Sequence, residues 1–154
     1  MAEFIHGNQS IHYELAGVRE FRLRTPVLLL HGNGEDMHIF DNMIAPLLGA
    51  KGFVLMDSRM QGESFSLDGG GEISYSAMAD DAAALMDELG INEYDIVGYS
   101  DGGIIALLMA MKSFKVRRFF TIGANTDPSG LTAKAVREIK TALRRANHKG
   151  DERT

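Results

Sequence analysis

Ser100 is the residue of this chain whose neighbours best equip it to act as a nucleophile. Before it runs Tyr94-Asp95-Ile96-Val97, a short apolar stretch, and after it runs Ile104-Ile105-Ala106-Leu107-Leu108, small and aliphatic. Between the two, Gly98-x-Ser100-x-Gly102 predicts a sharp turn from strand to helix, with Ser100 in strained backbone angles at its apex. Gly103 removes a side chain where the helix comes back close to the sheet. The G-x-S-x-G string alone is common; its meaning here comes from the strand before it and the helix after. A hydroxyl held this way attacks an acyl carbon, and the oxyanion that forms needs backbone N–H donors already aimed at it.

Two further clusters stand at the ends of predicted strands. His31-Gly32-Asn33-Gly34-Glu35-Asp36 ends the run Thr25-Pro26-Val27-Leu28-Leu29-Leu30, which is apolar throughout, as in a strand buried on both faces. Asp57-x-Arg59-x-x-Gly62-x-Ser64 ends Phe53-Val54-Leu55-Met56.

The remaining elements set these ends side by side. Phe4 to Ala16 alternates around Gly7-Asn8, which predicts an antiparallel hairpin. Ile39, Phe40, Met43, Ile44, Leu47 and Leu48 recur at helical spacing, with Pro46 expected to kink or end that helix. A second helix is expected from about Ser76 to Leu89, with Met78, Ala82, Leu85, Met86 and Leu89 on one stripe and Gly90 as its stop. Val116 to Ile122 is a further strand. Strands alternating with helices after a hairpin imply about six strands in a mainly parallel sheet with helices on both faces.

From Asp127 the pattern changes. Leu131, Ala135, Val136, Ile139, Ala142 and Leu143 make one apolar helical stripe with Lys134, Arg137, Lys140 and Arg144 off it. The polar residues from Asn147 to Thr154 are expected to fray. The domain reading is therefore a core over 1–126 and an amphipathic helix with a polar tail over 127–154.

Composition narrows the classes of function. The 154 residues are 45% hydrophobic and 24% charged, as in a soluble globular domain, and no apolar run approaches a membrane span. Met1 to His6 lack the basic start and apolar run of a secretion signal, and without cysteine there are neither disulfides nor thiolate metal sites. A cytoplasmic protein is expected. The net charge of −5 opposes nucleic-acid binding, which wants a basic face. That charge is uneven: residues 1–124 hold 9 Lys and Arg against 17 Asp and Glu, and residues 125–154 hold 7 against 4. A solvated helix face accounts for the basic tail more simply than a nucleic-acid or membrane contact.

Taken in order, the three motifs resemble the α/β-hydrolase superfamily over residues from about 4 to 126. The Ser-Asp-Gly-Gly form looks most like its small esterases, lactonases and amino-acid ester hydrolases. The resemblance implies a serine hydrolase acting on an ester, lactone or amide through an acyl-enzyme on Ser100, with a small acyl substrate and neither metal nor organic cofactor. It assigns one oxyanion donor to the Asp101 N–H and the other to the Asn33 N–H, with Gly34 as alternate. The Asp101 carboxylate either attracts a cationic part of the substrate or merely caps a helix. For Asp57 and Arg59 the resemblance favours bracing of neighbouring loops over catalysis.

Ser100 also needs a base oriented by an acid, and in this fold those follow the nucleophile on two later strands, acid first and then His. No such pair of strands is legible here. His148, the one later histidine, has nothing apolar around it, and Asp127 follows a strand but has no base to orient. His6, His12, His31 and His38 read as core or surface residues. The expectation is thus the N-terminal portion of such a fold, with its C-terminal strands and lid missing and the lid starting at about Ser129. Two rivals stand beside an active enzyme: a binding module that keeps the pocket without the base, and a truncated product of a longer hydrolase. An open edge at Val116–Ile122 and the tail helix each predict a homo-oligomer.

Overall fold

The computed structural model describes residues 2–125, 127–130, 132–134, 136–137 and 141. The chain divides into two compact units, Met1–Ala124 and Asn125–Thr154. In the first, β1 (Ala2–His6) and β2 (Gln9–Ala16) form the hairpin, with a positive φ of 59° at Gly7. The strands that follow are β3 (Val27–Leu30), β4 (Phe53–Met56), β5 (Phe65–Ser66), β6 (Tyr94–Tyr99) and β7 (Val116–Ile122). They build one mixed sheet in the order β1-β2-β4-β3-β6-β7, with β5 on β2. β3 lies parallel to β4 and β6, and β6 parallel to β7, while β2 meets β4 and β5 antiparallel. The count is seven, one more than the pattern predicts. Two residues are too few for an alternation to show β5 in the sequence.

Period-two packing splits the core into two layers. Leu28, Leu30, Val54, Met56 and Ile96 face one way, against Met78, Ala82, Leu85 and Met86 of α2 (Tyr75–Glu88) and Ile105, Ala106 and Met109 of α3 (Asp101–Lys112). Val27, Leu29, Phe53 and Leu55 face the other way, against Met37, Phe40 and Ile44. Each fully buried side chain of this size stabilises the fold by roughly 1.5–3 kcal/mol relative to exposure.

The helix expected over Ile39–Leu48 is broken into a 3₁₀ turn at Met37–Phe40, one α turn α1 (Asp41–Ile44) and a second 3₁₀ turn at Ala45–Leu47. Pro46 sits in that last turn, where it cannot supply an N–H. Only Phe40 and Ile44 of the expected stripe are buried; Ile39, Met43, Leu47 and Leu48 are exposed, and Met37 takes their place. By contrast α2 runs close to expectation, capped by the Ser74 hydroxyl on the Ala77 N–H and stopped at Gly90 with φ 67°. Its buried face holds Asp81, which the stripe did not foresee.

β7 is paired on one side alone among the described residues. None of its seven residues is buried, and Phe119, Phe120 and Ile122 are exposed. In the second unit Pro128–Gly130 form a 3₁₀ turn, and the Asp127 carboxylate accepts the Ser129 N–H at 2.8 Å. Of the expected tail stripe, Leu131, Ala135, Ile139, Ala142 and Leu143 lie outside the described residues, as do Lys140, Arg144 and His148. No helix among the described residues is long and apolar enough to cross a membrane.

Candidate active site

Ser100 stands between β6 and α3 with φ 52° and ψ −115°, a conformation a residue with a side chain rarely adopts. Holding it costs on the order of 1–3 kcal/mol, and persists because the surroundings fix it. The Ser100 N–H donates to the Ile122 carbonyl at 2.7 Å, and its own carbonyl accepts the Gly103 N–H at 2.9 Å. The flanking glycines are there for room. A Cβ at Gly98 would stand 2.3 Å from the Gly102 carbonyl oxygen, and one at Gly102 would stand 2.0 Å from that of Leu30. Strand and helix therefore meet backbone to backbone, and the first two amides of α3, those of Asp101 and Gly102, have no carbonyl one turn back to accept them.

The loop after β3 comes to the same place. A Cβ at Gly32 would lie 3.2 Å from the Ser100 Cβ. Three N–H groups of this loop are tied. The Gly32 N–H donates to Glu35 Oε2 at 3.1 Å, the Glu35 N–H to the Gly32 carbonyl at 3.3 Å, and the Gly34 N–H to Gln61 Oε1 at 2.8 Å. Of the two loop donors the sequence suggested, Gly34 is thus spent on Gln61. Asn33 keeps an N–H with no protein partner among the described residues.

His31 is buried and locked. Its Nε2 accepts the Ser58 N–H at 3.0 Å, and because that amide can only donate, the ring proton is on Nδ1, donated to the Gly32 carbonyl at 2.7 Å. This neutral tautomer leaves no lone pair for Ser100. The other described histidines are also engaged elsewhere. His6 pairs with Asp81 at 2.7 Å, His38 with Asp41 at 3.1 Å, and His12 lies 3.8 Å from Glu63. His38 is pushed above its ordinary pKa by Asp41, Asp36 and Glu14, which outweigh the larger single effect of desolvation.

The Asp57 loop is a brace. Asp57 Oδ1 accepts the Met37 N–H and Oδ2 the Glu63 N–H, each at 2.8 Å, which leaves the buried carboxylate no freedom to do chemistry. Arg59 grips Asp81 with two bonds, Nε to Oδ2 at 2.6 Å and Nη2 to Oδ1 at 2.7 Å, and its Nη1 donates to the Glu72 carbonyl at 2.8 Å. That grip raises the Arg59 pKa above its usual value. The Ser64 hydroxyl joins the loop to β2, donating to the Asp57 carbonyl and accepting the His12 N–H. Asp127 is likewise in local use, its carboxyl held below the usual range by Ser129.

Three residues that sequence reasoning passed over belong to this site. Glu35 closes the loop beside Ser100, Gln61 holds it from the side, and Tyr75 stands near enough to Asp101 for that carboxylate to act on its phenol. Burial first, and then Asp101, pushes the Tyr75 phenol above its usual pKa. A legible signal existed for Glu35 alone, an acid three residues after Gly32 in a glycine turn. Gln61 and Tyr75 come from other elements, and no spacing pairs them with the site.

The fold that carries this arrangement is shared with known proteins. A thermophilic esterase from Thermogutta terrifontis superposes with a TM-score of 0.71 at 25% identity, covering 92% of this chain and 50% of its own. A structure described as an N-acyl homoserine lactone degrading enzyme superposes with a TM-score of 0.73 at 22% identity, covering 90% of this chain and 52% of its own. The chain thus spans about half the length of each of these two structures. Residues 25–145 match the family model of the alpha/beta hydrolase fold, and the chain belongs to that family.

Proposed function

We propose that this chain carries the nucleophile and oxyanion site of a serine hydrolase acting on a small carboxylic ester, lactone or amide. Ser100 Oγ attacks the acyl carbon, the leaving group departs with a proton, and water then releases the acyl-enzyme. The Asn33 and Asp101 N–H groups hold the oxyanion, and loss of one such donor costs on the order of 3 kcal/mol. The observation that carries this reading is the strained Ser100, set against a loop that leaves the Asn33 N–H open. The esterase neighbour supports the same chemistry.

A base for Ser100 does not come from His6, His12, His31 or His38, so on this reading it is supplied from outside the described residues. The same observation favours a second reading, a binding module that keeps the pocket without turnover. Labelling with a fluorophosphonate separates them. As a hydrolase fragment the chain is modified at Ser100, slowly but to completion, and Ser100→Ala is not. Turnover of p-nitrophenyl acetate stays within the roughly 10³ to 10⁴-fold over water that oxyanion stabilisation and binding alone provide. Absence of labelling at Ser100 overturns the hydrolase in favour of the binding module. Fast turnover abolished by Ser100→Ala shows that a base is already in place.

A further inference from the structure

Glu35 brings a carboxylate into the space between the oxyanion loop and the nucleophile. Its Oε2 accepts the Gly32 N–H at 3.1 Å. A Cβ placed on Gly32 would stand 2.6 Å from that oxygen and 3.2 Å from the Ser100 Cβ, so carboxylate and serine border one spot. Glu35 is half-buried, and no Lys, Arg or His among the described residues pairs with it. One amide is a single partner for a group with about four acceptor sites. The other acid at the nucleophile, Asp101, has the Tyr75 phenol within its field.

A charge in this position works against a neutral acyl group. The oxyanion on the Asn33 and Asp101 amides would grow beside an existing negative charge, away from full solvent screening. A substrate that carries its own positive charge reverses the sign, because its cation neutralises Glu35 as the oxyanion forms. We propose that Glu35 is a specificity-determining residue that selects substrates with an ammonium group next to the reacting acyl carbon, as in α-amino acyl esters or amides. The inference rests on the reading of Ser100 as nucleophile, and adds the class of substrate to it.

The test uses the whole chain and two fluorophosphonates of equal size, one neutral and one carrying an ammonium group close to phosphorus. Modification is followed by intact mass. The ammonium reagent should label the natural chain about tenfold faster than the neutral one. In Glu35→Gln the ratio should fall to about one, because the cationic reagent slows while the neutral one speeds up. A purely structural role for Glu35 would move both rates the same way, and that outcome overturns the proposal. A ratio untouched by Glu35→Gln also overturns it, as does a ratio that collapses in Asp101→Asn instead. If about 0.5 M salt erases the preference in the natural chain, the general acidity of the surface explains it and Glu35 does not. If neither reagent modifies Ser100, or Ser100→Ala is labelled as fast as the natural chain, the nucleophile reading fails and takes this proposal with it.

Discussion

β3 and β7 flank the same strand, β6, in the same parallel sense, and their surroundings differ in every other respect. All four residues of β3 are buried, beneath covers on both faces. β7 has the strand-forming residues Val116, Phe119, Phe120, Thr121 and Ile122, yet Phe120 is 64% exposed and no residue of β7 is buried. Residue type predicts that a strand forms; whether burial stabilises it depends on what lies over it. The contrast extends to the site. The loop leaving β3 is held by Glu35, Gln61 and His31, whereas β7 gives the site a single carbonyl, that of Ile122. Precision at Ser100 is therefore supplied from the β4–β3 side.

The largest effect should come from the brace on that side. Arg59→Met leaves Asp81 buried with His6 as its one remaining partner among the described residues, and should cost about 3–5 kcal/mol. The double change Arg59→Met with Asp81→Leu should recover most of it, because both charges are then gone. Urea unfolding of the three proteins checks this; a double variant as unstable as the single one would refute the account. Next comes the comparison itself. Leu28→Ala in β3 should cost roughly 2–5 kcal/mol, and Phe120→Ala in β7 no more than about 0.5 kcal/mol. Equal losses would mean that Phe120 is covered in solution.

Much of this contrast was legible in the sequence. The unbroken run Val27 to Leu30 announces a strand buried on both faces, and Gly98 and Gly102 announce a close approach that the structure shows as backbone against backbone. The limits have physical causes. Ile39 to Leu48 has helical spacing, but Pro46 and one-sided cover divide it into three turns, and four of the six residues of its stripe face solvent. Asp81 looks like an ordinary surface acid of a helix until Arg59, twenty-two residues earlier, is found bonded to it. The tie between Gln61 and Gly34 joins two loops whose approach is set by the sheet. Such long-range pairs leave no period in the chain.

A smaller effect concerns association. With one edge of β7 unpaired among the described residues and Phe119, Phe120 and Ile122 exposed on it, the chain is expected to self-associate at micromolar concentration. Phe120→Lys should weaken that association, and Arg118→Lys should leave it unchanged. Sedimentation decides, and a single species of one chain's mass at every concentration would defeat the expectation.

The smallest effect is the pH dependence of the β6–β7 junction. Arg117 grips Asp95 through Nε at 3.0 Å and Nη2 at 2.8 Å, and Arg118 lies 3.6 Å away. The Arg117 bond in the first place holds the Asp95 carboxyl below its usual range. A carboxylate with a depressed folded pKa adds stability that is fully present above the unfolded value of about 3.9 and is lost as pH falls through the lower folded one. Arg117 is exposed enough for solvent to screen much of the attraction, so the contribution is modest. Asp95→Asn should therefore unfold at a slightly lower urea concentration than the natural chain at pH 7, and the gap should begin to narrow below about pH 4 and vanish only once pH has fallen through the lower folded pKa, where the natural Asp95 also loses its charge. Salt should shrink the gap at pH 7 as well, since one partner faces water. A gap that stays constant through the acid range would mean that Asp95 acts there by shape and neutral hydrogen bonding, with β7 held to β6 by its backbone ladder alone.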